Sequence, residues 1–486
     1  MLFHSFRFLI FFPCVFFLYY ILPFRFRKFM LLAASWYFYM CWKPEFIVLL
    51  LLSTLVDYFC GLGIEKRRQA GQPAGAVLSV SLIMNLGLLF FFKYMNFFGQ
   101  TLTNLCRAVS IPFSVPVLDI ILPVGISFYT FQTLSYTIDV YRGKLAAERD
   151  FTTFALFVSF FPQLVAGPIE KASNLLPQLR EEHPFSYDSA AYGLKLMAWG
   201  FFKKLVIADR LATLLVDPVY ENPTAYSGGA FLLATAAFAI QIYCDFGGYS
   251  DIARGCAKTM GVDLMVNFKA PYFAASLTEF WRRWHISLTG WFREYVYIPL
   301  GGNRKGLGKK LLFVAVTFSL SGLWHGAGWT FVVWGLLQAV YLDAEALLAA
   351  RRKKTAVSSA SGPAKKVLAR LVTFALCSFS WIFFRANSMA DAFYIIRHSI
   401  TGGRAPVSYV QNALTAVLPG KLLTAVILFS LLLLFLFDRT DERQDAIRAI
   451  SSLPAWIRWP VYLAFLLLLL LLIPKESAAP FIYFQF

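Results

Sequence analysis

The stretch SGLWHGAGWT, residues 321–330, lies between two apolar runs at 311–324 and 329–348. Each run is long enough to lie within a membrane, so we expect His325 at membrane depth. An ionisable side chain at membrane depth is costly, so it usually faces a cavity, finds a partner or takes part in chemistry. Imidazole also exchanges a proton near neutral pH, and the three glycines leave room for a substrate or another backbone. The alternative interpretation is a buried histidine that only donates to a neighbouring carbonyl group.

The whole chain has the composition of an integral membrane protein. Of its 486 residues, 58% are hydrophobic and 15% are charged, and its mean hydropathy is +0.61. A soluble domain could not bury that much apolar surface. The apolar segments are continuous, which favours helices over a membrane barrel. We therefore predict an all-α polytopic membrane protein with one membrane domain, residues 1–486.

Apolar runs follow one another along the sequence. They lie at 8–22, 29–42, 46–62, 76–98, 118–140, 151–165, 190–216, 228–246, 311–324, 329–348, 367–384, 422–437 and 461–473. Several are shorter than the ~20 residues that a full crossing needs, so we expect about ten to twelve crossings plus one or two re-entrant segments.

Basic clusters predict the orientation of the chain, whose net charge is +18. The clusters lie at 25–28, 66–68, 304–310 and 351–354. The positive-inside rule places them in the cytoplasm and the N-terminus outside. The stretch 353–366, with its Ser, Ala, Gly and Pro residues, is typical of a flexible cytoplasmic loop.

The region 267–303 is aromatic but also charged, so it cannot be a lipid-facing span. We predict amphipathic or re-entrant helices that line a funnel open to the cytoplasm. On a helix, Trp281, Trp284, His285 and Leu288 share one face, which places His285 on the aromatic side. In the functional hypothesis His285 and the histidine of the 321–330 stretch flank one tunnel, with arginines at its mouth. In the alternative, His285 is a core histidine held by neighbouring hydrogen bonds.

Other polar residues allow both a functional and a structural interpretation. Arg282, Arg283 and Arg293 offer planar groups that match phosphate oxygens, or they contact lipid headgroups and carbonyl groups. Gln163 lies where Gly and Pro interrupt an apolar run, and is either a tunnel-lining amide or a structural one. Asp245 either pairs with an arginine, orients a histidine or positions its loop.

Several kinds of site are not indicated. The seven cysteines show no C-x-x-C spacing, so the sequence predicts neither a zinc site nor a disulfide framework. No dinucleotide or Walker-type glycine fingerprint lies between a strand and a helix. A serine nucleophile in a G-x-S-x-G turn is also missing from the sequence.

The motifs together resemble the membrane-bound O-acyltransferase superfamily, in its bacterial alginate O-acetyltransferase (AlgI-like) branch. The specific stretches are WRRWHISLTGWFREYVYIPLGGNR at 281–304 and LWHGAGWTF at 323–331. Supporting stretches are FKYMNF at 92–97, PVGISFYTFQ at 123–132, FPQLVAGPI at 161–169, DFGGYSD at 245–251, WIFFRA at 381–386 and FIYFQF at 481–486. The resemblance covers nearly the whole chain.

The resemblance implies an enzyme of the bacterial cytoplasmic (inner) membrane, whose catalytic histidine region spans about residues 267–335. It would move an acetyl group from a cytoplasmic thioester, acetyl-CoA, across the membrane for O-acetylation of an exported polysaccharide such as alginate. His325 matches the family's essential histidine, which fits a general base, and His285 matches its second conserved polar position. No resident cofactor, metal or nucleic acid is expected.

The remaining expected partners and site residues follow from the same resemblance. The partners are the lipid bilayer, the polysaccharide acceptor and an extracytoplasmic SGNH-type O-acetyltransferase. The expected substrate-binding residues are Gln163, Trp281, Arg282, Trp284, Arg293, Trp324, Trp329 and Asp245. The donor that stabilises the oxyanion is Trp324, Trp329 or a glycine amide near 326–328.

Two alternative functions remain open at this level. The first keeps the fold and transfers D-alanine from a carrier-protein thioester to teichoic acid. The second is a histidine-gated transporter, a class that often shows inverted repeats and paired broken helices. No internal repeat is detectable in this sequence, and transport explains the Trp-rich histidine motifs poorly.

Overall fold

The protein is built from α-helices joined by turns and extended segments. The computed structural model describes residues 1–354, 362–401, 403, 405–473 and 481–482, and these residues contain no β-strand. Residues 355–361 of the predicted loop, and 483–486 of the terminal motif, lie outside the described residues. The chain packs as two compact units, Met1–Met197 with Ile252–Met265, and Ala198–Asp251 with Val266–Phe486.

Eight helices in the described ranges are long and apolar enough to cross a membrane. They are Pro44–Gln69, Gly75–Ala108, Gly229–Thr259, Leu307–His325, Trp329–Arg351, Pro363–Arg385, Lys421–Asp441 and Ala455–Leu472. The prediction of an all-α polytopic membrane protein is confirmed. Eight long helices are fewer than the ten to twelve crossings that the sequence predicted, because some apolar runs are divided between shorter helices. The run at 151–165, for example, forms two short helices.

The first unit holds the N-terminal helices. These are α1 Phe6–Ile21, α2 Phe24–Met40, α3 Ile47–Gln69, α4 Gly75–Leu89, α5 Met95–Ala108, α6 Ile126–Tyr141, α7 Phe151–Ser159, α8 Phe161–Leu164, α9 Ala172–Arg180 and most of α10 Tyr187–Phe201. The core of the first unit contains a buried polar network on α3, α4 and α6. Asp57 accepts hydrogen bonds from Ser81 and Asn85, and Ser53 and Thr133 donate to the Asn85 carbonyl group. These bonds satisfy polar groups that would otherwise be costly at membrane depth.

The second unit holds the later helices. These are α11 Asp209–Leu211, α12 Asp217–Glu221, α13 Gly229–Thr259 as far as Asp251, α14 Leu277–Arg283, α15 Ile286–Phe292, α16 Ile298–Leu300, α17 Leu307–His325, α18 Trp329–Lys354, α19 Pro363–Arg385, α20 Met389–His398, α21 Pro406–Val417, α22 Lys421–Asp441, α23 Ala446–Ser451 and α24 Ala455–Leu472. Both predicted site histidines lie in this unit.

Helices α17 and α18 cross with their backbones in contact. A Cβ atom added to Gly322 would lie 2.2 Å from the carbonyl oxygen of Phe331, and one added to Gly335 would lie 2.2 Å from that of Phe318. Real side chains cannot approach a backbone that closely, so the crossing requires glycine on both helices. The glycine at 322 therefore makes room for another backbone, one of the two possibilities that the sequence left open.

Replacing Gly335 with alanine is expected to destabilise the second unit. The added methyl group forces α17 and α18 apart, and overpacking of this kind typically costs about 1–3 kcal/mol. We expect a lower melting temperature of the purified protein, followed by tryptophan fluorescence. Gly308→Ala in α17 is the matched control, because no atom lies within 4 Å of its added Cβ. Equal melting temperatures for the two variants would contradict the backbone contact.

Candidate active site

His325 is the last residue of α17, and the crossing with α18 directs it into an aromatic enclosure. Its side chain is buried, with 3% of its surface exposed. The imidazole lies edge-on to Trp334 of α18, with ring centres 5.1 Å apart, and 5.3 Å from the ring of Phe384 in α19. The imidazole at the end of α17 is thus enclosed by aromatic rings of α18 and α19.

His285 lies at a break between two short helices. The continuous helix assumed for the face of Trp281, Trp284, His285 and Leu288 is wrong: α14 ends at Arg283, and α15 begins at Ile286. Trp284 is extended and His285 adopts a left-handed conformation with φ +42°. The cause is non-local hydrogen bonding, because Ile286 N donates to the carbonyl group of Asn267.

The start of α14 is fixed from two directions. Ser276 caps the helix by accepting a hydrogen bond from Glu279 N at 3.1 Å, as is usual at a helix N-terminus. The carboxylate of Glu345 in α18 accepts further bonds from Leu277 N and Thr278 N. Helix α14, and with it the break that carries His285, is therefore tied to α18.

The two histidines lie together despite the broken helix. Their ring centres are 6.2 Å apart, and the ring of Trp324 lies 5.9 Å from His285 and 5.0 Å from His325. His285 is fully buried, with the ring of Phe246 at 4.6 Å. It lies outside the eight long helices, and burial lowers the pKa of its imidazole to about 3, because a charged ring is disfavoured there. His285 is therefore a neutral group in a buried aromatic enclosure.

A cavity of about 520 Å³ lies in the same unit; Ile286, the residue after His285, lines it, but neither histidine does. Trp281 and Ser321 line it, and Ser321 lies about one turn before His325 on α17. Arg282 and Arg293 also line the cavity. Arg283 instead forms ion pairs with Glu279 and Glu442, at 2.6 and 3.5 Å. The structure thus separates the three arginines: two face the cavity, and the third joins helices.

The predicted tryptophans occupy different surroundings. Trp281 donates from Nε1 to the side chain of Gln338 at 3.3 Å. Trp284 packs on Trp381, with ring centres 5.2 Å apart, and does not line the cavity. Trp324 is buried beside both histidines, whereas Trp329 at the start of α18 is 53% exposed. Burial therefore favours Trp324 over Trp329 as a group near the chemistry.

Two further predicted residues have structural partners. Gln163 lies in the first unit, where its Nε2 donates to the carbonyl group of Phe157 at 2.8 Å. Asp245 in the second unit is ion-paired with Lys204 at 2.7 Å and accepts a hydrogen bond from Ile482 N at 2.8 Å. A direct contact of either residue with substrate stays a prediction.

The sequence analysis missed three residues of this region. Asn267 bonds the imidazole of His285, Trp334 packs on His325, and Lys204 holds Asp245. Lys204 had a detectable signal, since a lysine within the apolar run at 190–216 requires a partner. Asn267 and Trp334 are ordinary residues in the sequence, and only their contacts distinguish them.

Comparison with known proteins agrees with this architecture. The profile of the membrane-bound O-acyltransferase family matches residues 146–384, which include both histidines. A probable alginate O-acetylase AlgI of Azotobacter vinelandii is 36% identical, with 98% of each chain covered. The chain belongs to the membrane-bound O-acyltransferase family.

Membership makes this protein a multi-pass membrane acyltransferase, which confirms the predicted class of enzyme. A peptidoglycan O-acetyltransferase of Helicobacter pylori is 35% identical, covering 76% of this chain and 73% of the relative. A teichoic acid D-alanyltransferase of Streptococcus thermophilus is 28% identical, covering 45% of this chain and 55% of the relative. The similarity to the two O-acetyltransferases therefore covers more of this chain than the similarity to the D-alanyltransferase does.

Proposed function

We propose that this acyltransferase takes an acetyl group from acetyl-CoA in the cytoplasm and passes it across the bacterial inner membrane for O-acetylation of an exported polysaccharide. The observation that carries the proposal is the pair of buried histidines beside a cavity lined by two arginines. The names of two relatives that match most of this chain, a probable alginate O-acetylase and a peptidoglycan O-acetyltransferase, support acetyl as the cargo.

In the proposed reaction, His325 acts as the general base. It takes the proton of an acceptor hydroxyl group while the hydroxyl oxygen attacks the thioester carbonyl carbon. The new C–O bond forms, the C–S bond breaks, and the thiolate of coenzyme A leaves and is protonated. The acceptor hydroxyl belongs to the polysaccharide or to an extracytoplasmic SGNH-type transferase that delivers the group.

The oxyanion that forms during this attack needs a hydrogen-bond donor in the enclosure. Trp334 is a candidate that the sequence did not suggest. Its Nε1 is buried without a hydrogen-bond partner in the described part of the chain, and its ring lies against His325. Trp324 remains a second candidate, because it lies beside both imidazoles.

The cavity suits the donor. Arg282 and Arg293 would bind the phosphate groups of coenzyme A, since guanidinium groups match phosphate oxygens. The apolar wall formed by Trp281 and Phe318 would exclude water from the thioester.

Acetyl transfer by the purified protein tests the proposal. With radiolabelled acetyl-CoA and an acceptor glycan, or a partner transferase, we expect transfer of label and release of free coenzyme A. A parallel reaction supplies a D-alanyl carrier-protein thioester. Transfer from the carrier protein alone would overturn acetyl as the cargo and favour teichoic acid D-alanylation. Transfer from neither donor would overturn the proposed reaction.

A further inference from the structure

Asn267 makes an unusual set of contacts with the break that carries His285. It lies in the segment between α13 and α14, with 1% of its surface exposed. Its Oδ1 lies 3.2 Å from His285 Nδ1, 2.9 Å from Ser287 Oγ and 3.3 Å from Ser287 N. Its Nδ2 donates to Ser250 at 3.3 Å. A single side-chain oxygen thus faces three possible donors at the break.

These contacts determine the protonation of the imidazole. A backbone N–H can only donate, so the Asn267 atom that faces Ser287 N must be the oxygen and not the amide nitrogen. The same oxygen faces His285 Nδ1, which must therefore carry the proton. In a neutral imidazole the other nitrogen, Nε2, is then an acceptor with a free lone pair.

The accepting nitrogen has no partner. His285 Nε2 is buried and makes no hydrogen bond in the described ranges of the chain. Its imidazole is surrounded by the rings of Phe246, Phe268 and Trp324, and by His325. Buried polar atoms are almost always hydrogen-bonded, so an orphaned acceptor on the histidine that packs beside His325 indicates a place for a donor from outside the chain.

Asn267 also maintains the backbone conformation that directs the ring. The left-handed conformation of His285, with φ +42°, is unfavourable for a residue other than glycine. The hydrogen bond from Ile286 N to Asn267 O, at 2.9 Å, and the bonds from Ser287 to Oδ1 hold the two residues that directly follow His285. Strain of this kind persists where the surroundings enforce it, often at functional sites.

We propose that Asn267 is a positioning residue that acts through His285, holding Nε2 as an acceptor for a hydroxyl or amide donor of the bound substrates. This inference rests on the proposed acetyl transfer. Asn267 itself does not contact the reacting atoms. It selects which imidazole nitrogen faces them and fixes the direction in which that nitrogen points.

Two substitutions of Asn267 separate this role from simple packing. Asn267→Leu removes the acceptor, so the ring can rotate or change tautomer, and we expect kcat for acetyl transfer to fall by about 10²-fold. Asn267→Asp keeps an acceptor oxygen and should retain most of the activity at alkaline pH. Both are compared with the parent protein by melting temperature and by kcat and KM.

The pH profile of Asn267→Asp supplies the decisive measurement. The new carboxylate stabilises a protonated imidazole and raises the pKa of His285 from its low parent value. The required neutral form is then lost as the pH falls, starting at a higher pH than in the parent. His325 is the other titratable group that faces His285, and the parent profile supplies its contribution.

Asn222→Asp is the matched control. Asn222 is exposed, and its Oδ1 accepts a hydrogen bond from Thr224, so the substitution keeps that bond at the surface of the unit. We expect its pH profile to match the parent.

Two results would overturn the role of Asn267. One is full activity of Asn267→Leu; the other is an unchanged pH profile in Asn267→Asp. If Asn267→Leu does not fold, the aspartate profile decides alone. Failure of the proposed function is distinguishable, because the parent protein would then transfer no acetyl group.

Discussion

Alanine at His325 is expected to remove acetyl transfer almost completely. General-base catalysis by a positioned side chain contributes about 10²–10⁴-fold in rate, and we expect a loss of kcat within that range. The imidazole occupies an enclosure of Trp324, Trp334 and Phe384, and the methyl group of alanine cannot take a proton in its place. The measurement is polymer acetylation in cells, with membrane levels of the protein determined in parallel.

His398→Ala is the control for this substitution. His398 lies at the end of α20, where its Nδ1 bonds the carbonyl group of Tyr394 at 2.8 Å and its ring stacks on that tyrosine. It is a structural histidine of the same unit, so its replacement should leave acetylation near the parent level. Persistent acetylation in His325→Ala, with the protein abundant, would instead make His325 structural and move the chemistry to His285 or to a partner.

Methionine at Lys204 is expected to cause the largest loss of stability. Lys204 Nζ lies 2.8 Å from Asp209 and 2.7 Å from Asp245, and all three side chains are at most 4% exposed. Removing one member of a buried ion pair costs roughly 3–5 kcal/mol, because a charge stays buried without compensation. Here one lysine pairs with two carboxylates, so its removal takes this partner from both. We expect a melting temperature lower by several degrees and reduced protein in the membrane.

Two further variants test the cause of that loss. Lys421→Met removes an exposed lysine at the start of α22 and should leave the melting temperature unchanged. Adding Asp209→Asn to Lys204→Met removes one uncompensated charge, so part of the lost stability should return. If Lys204→Met melts like the parent, the lysine does not compensate the two carboxylates.

The Asp245 contacts also connect this ion cluster to the active site. Asp245 accepts a hydrogen bond from Ile482 N, and the adjacent Phe481 packs on Phe246, with ring centres 6.0 Å apart. Phe246 in turn packs on His285. Loss of Lys204 should therefore lower activity through the surroundings of His285 as well as through protein abundance.

Composition and continuous hydropathy were sufficient to predict the class of fold. Long apolar helices satisfy their own backbone groups, so the sequence alone determines that they form within a membrane. The motif around His325 was also identifiable locally, because an ionisable side chain at membrane depth is costly. The separate stretch at 281–304 offered Arg282, Arg283 and Arg293, of which the first and the last line the cavity.

The details of the site required the tertiary structure. Periodicity predicted one helix through Trp284 and His285, but hydrogen bonds to Asn267 break it, and a partner 18 residues away in the chain does not affect a helical pattern. Pairing of Lys204 with Asp245, and of His325 with Trp334, likewise depends on which helices meet. The sequence thus determined which segments are helical and where an imidazole enters the membrane. Only packing decided the neighbours of each imidazole, because hydrogen bonds and ring contacts between distant segments form after the helices assemble.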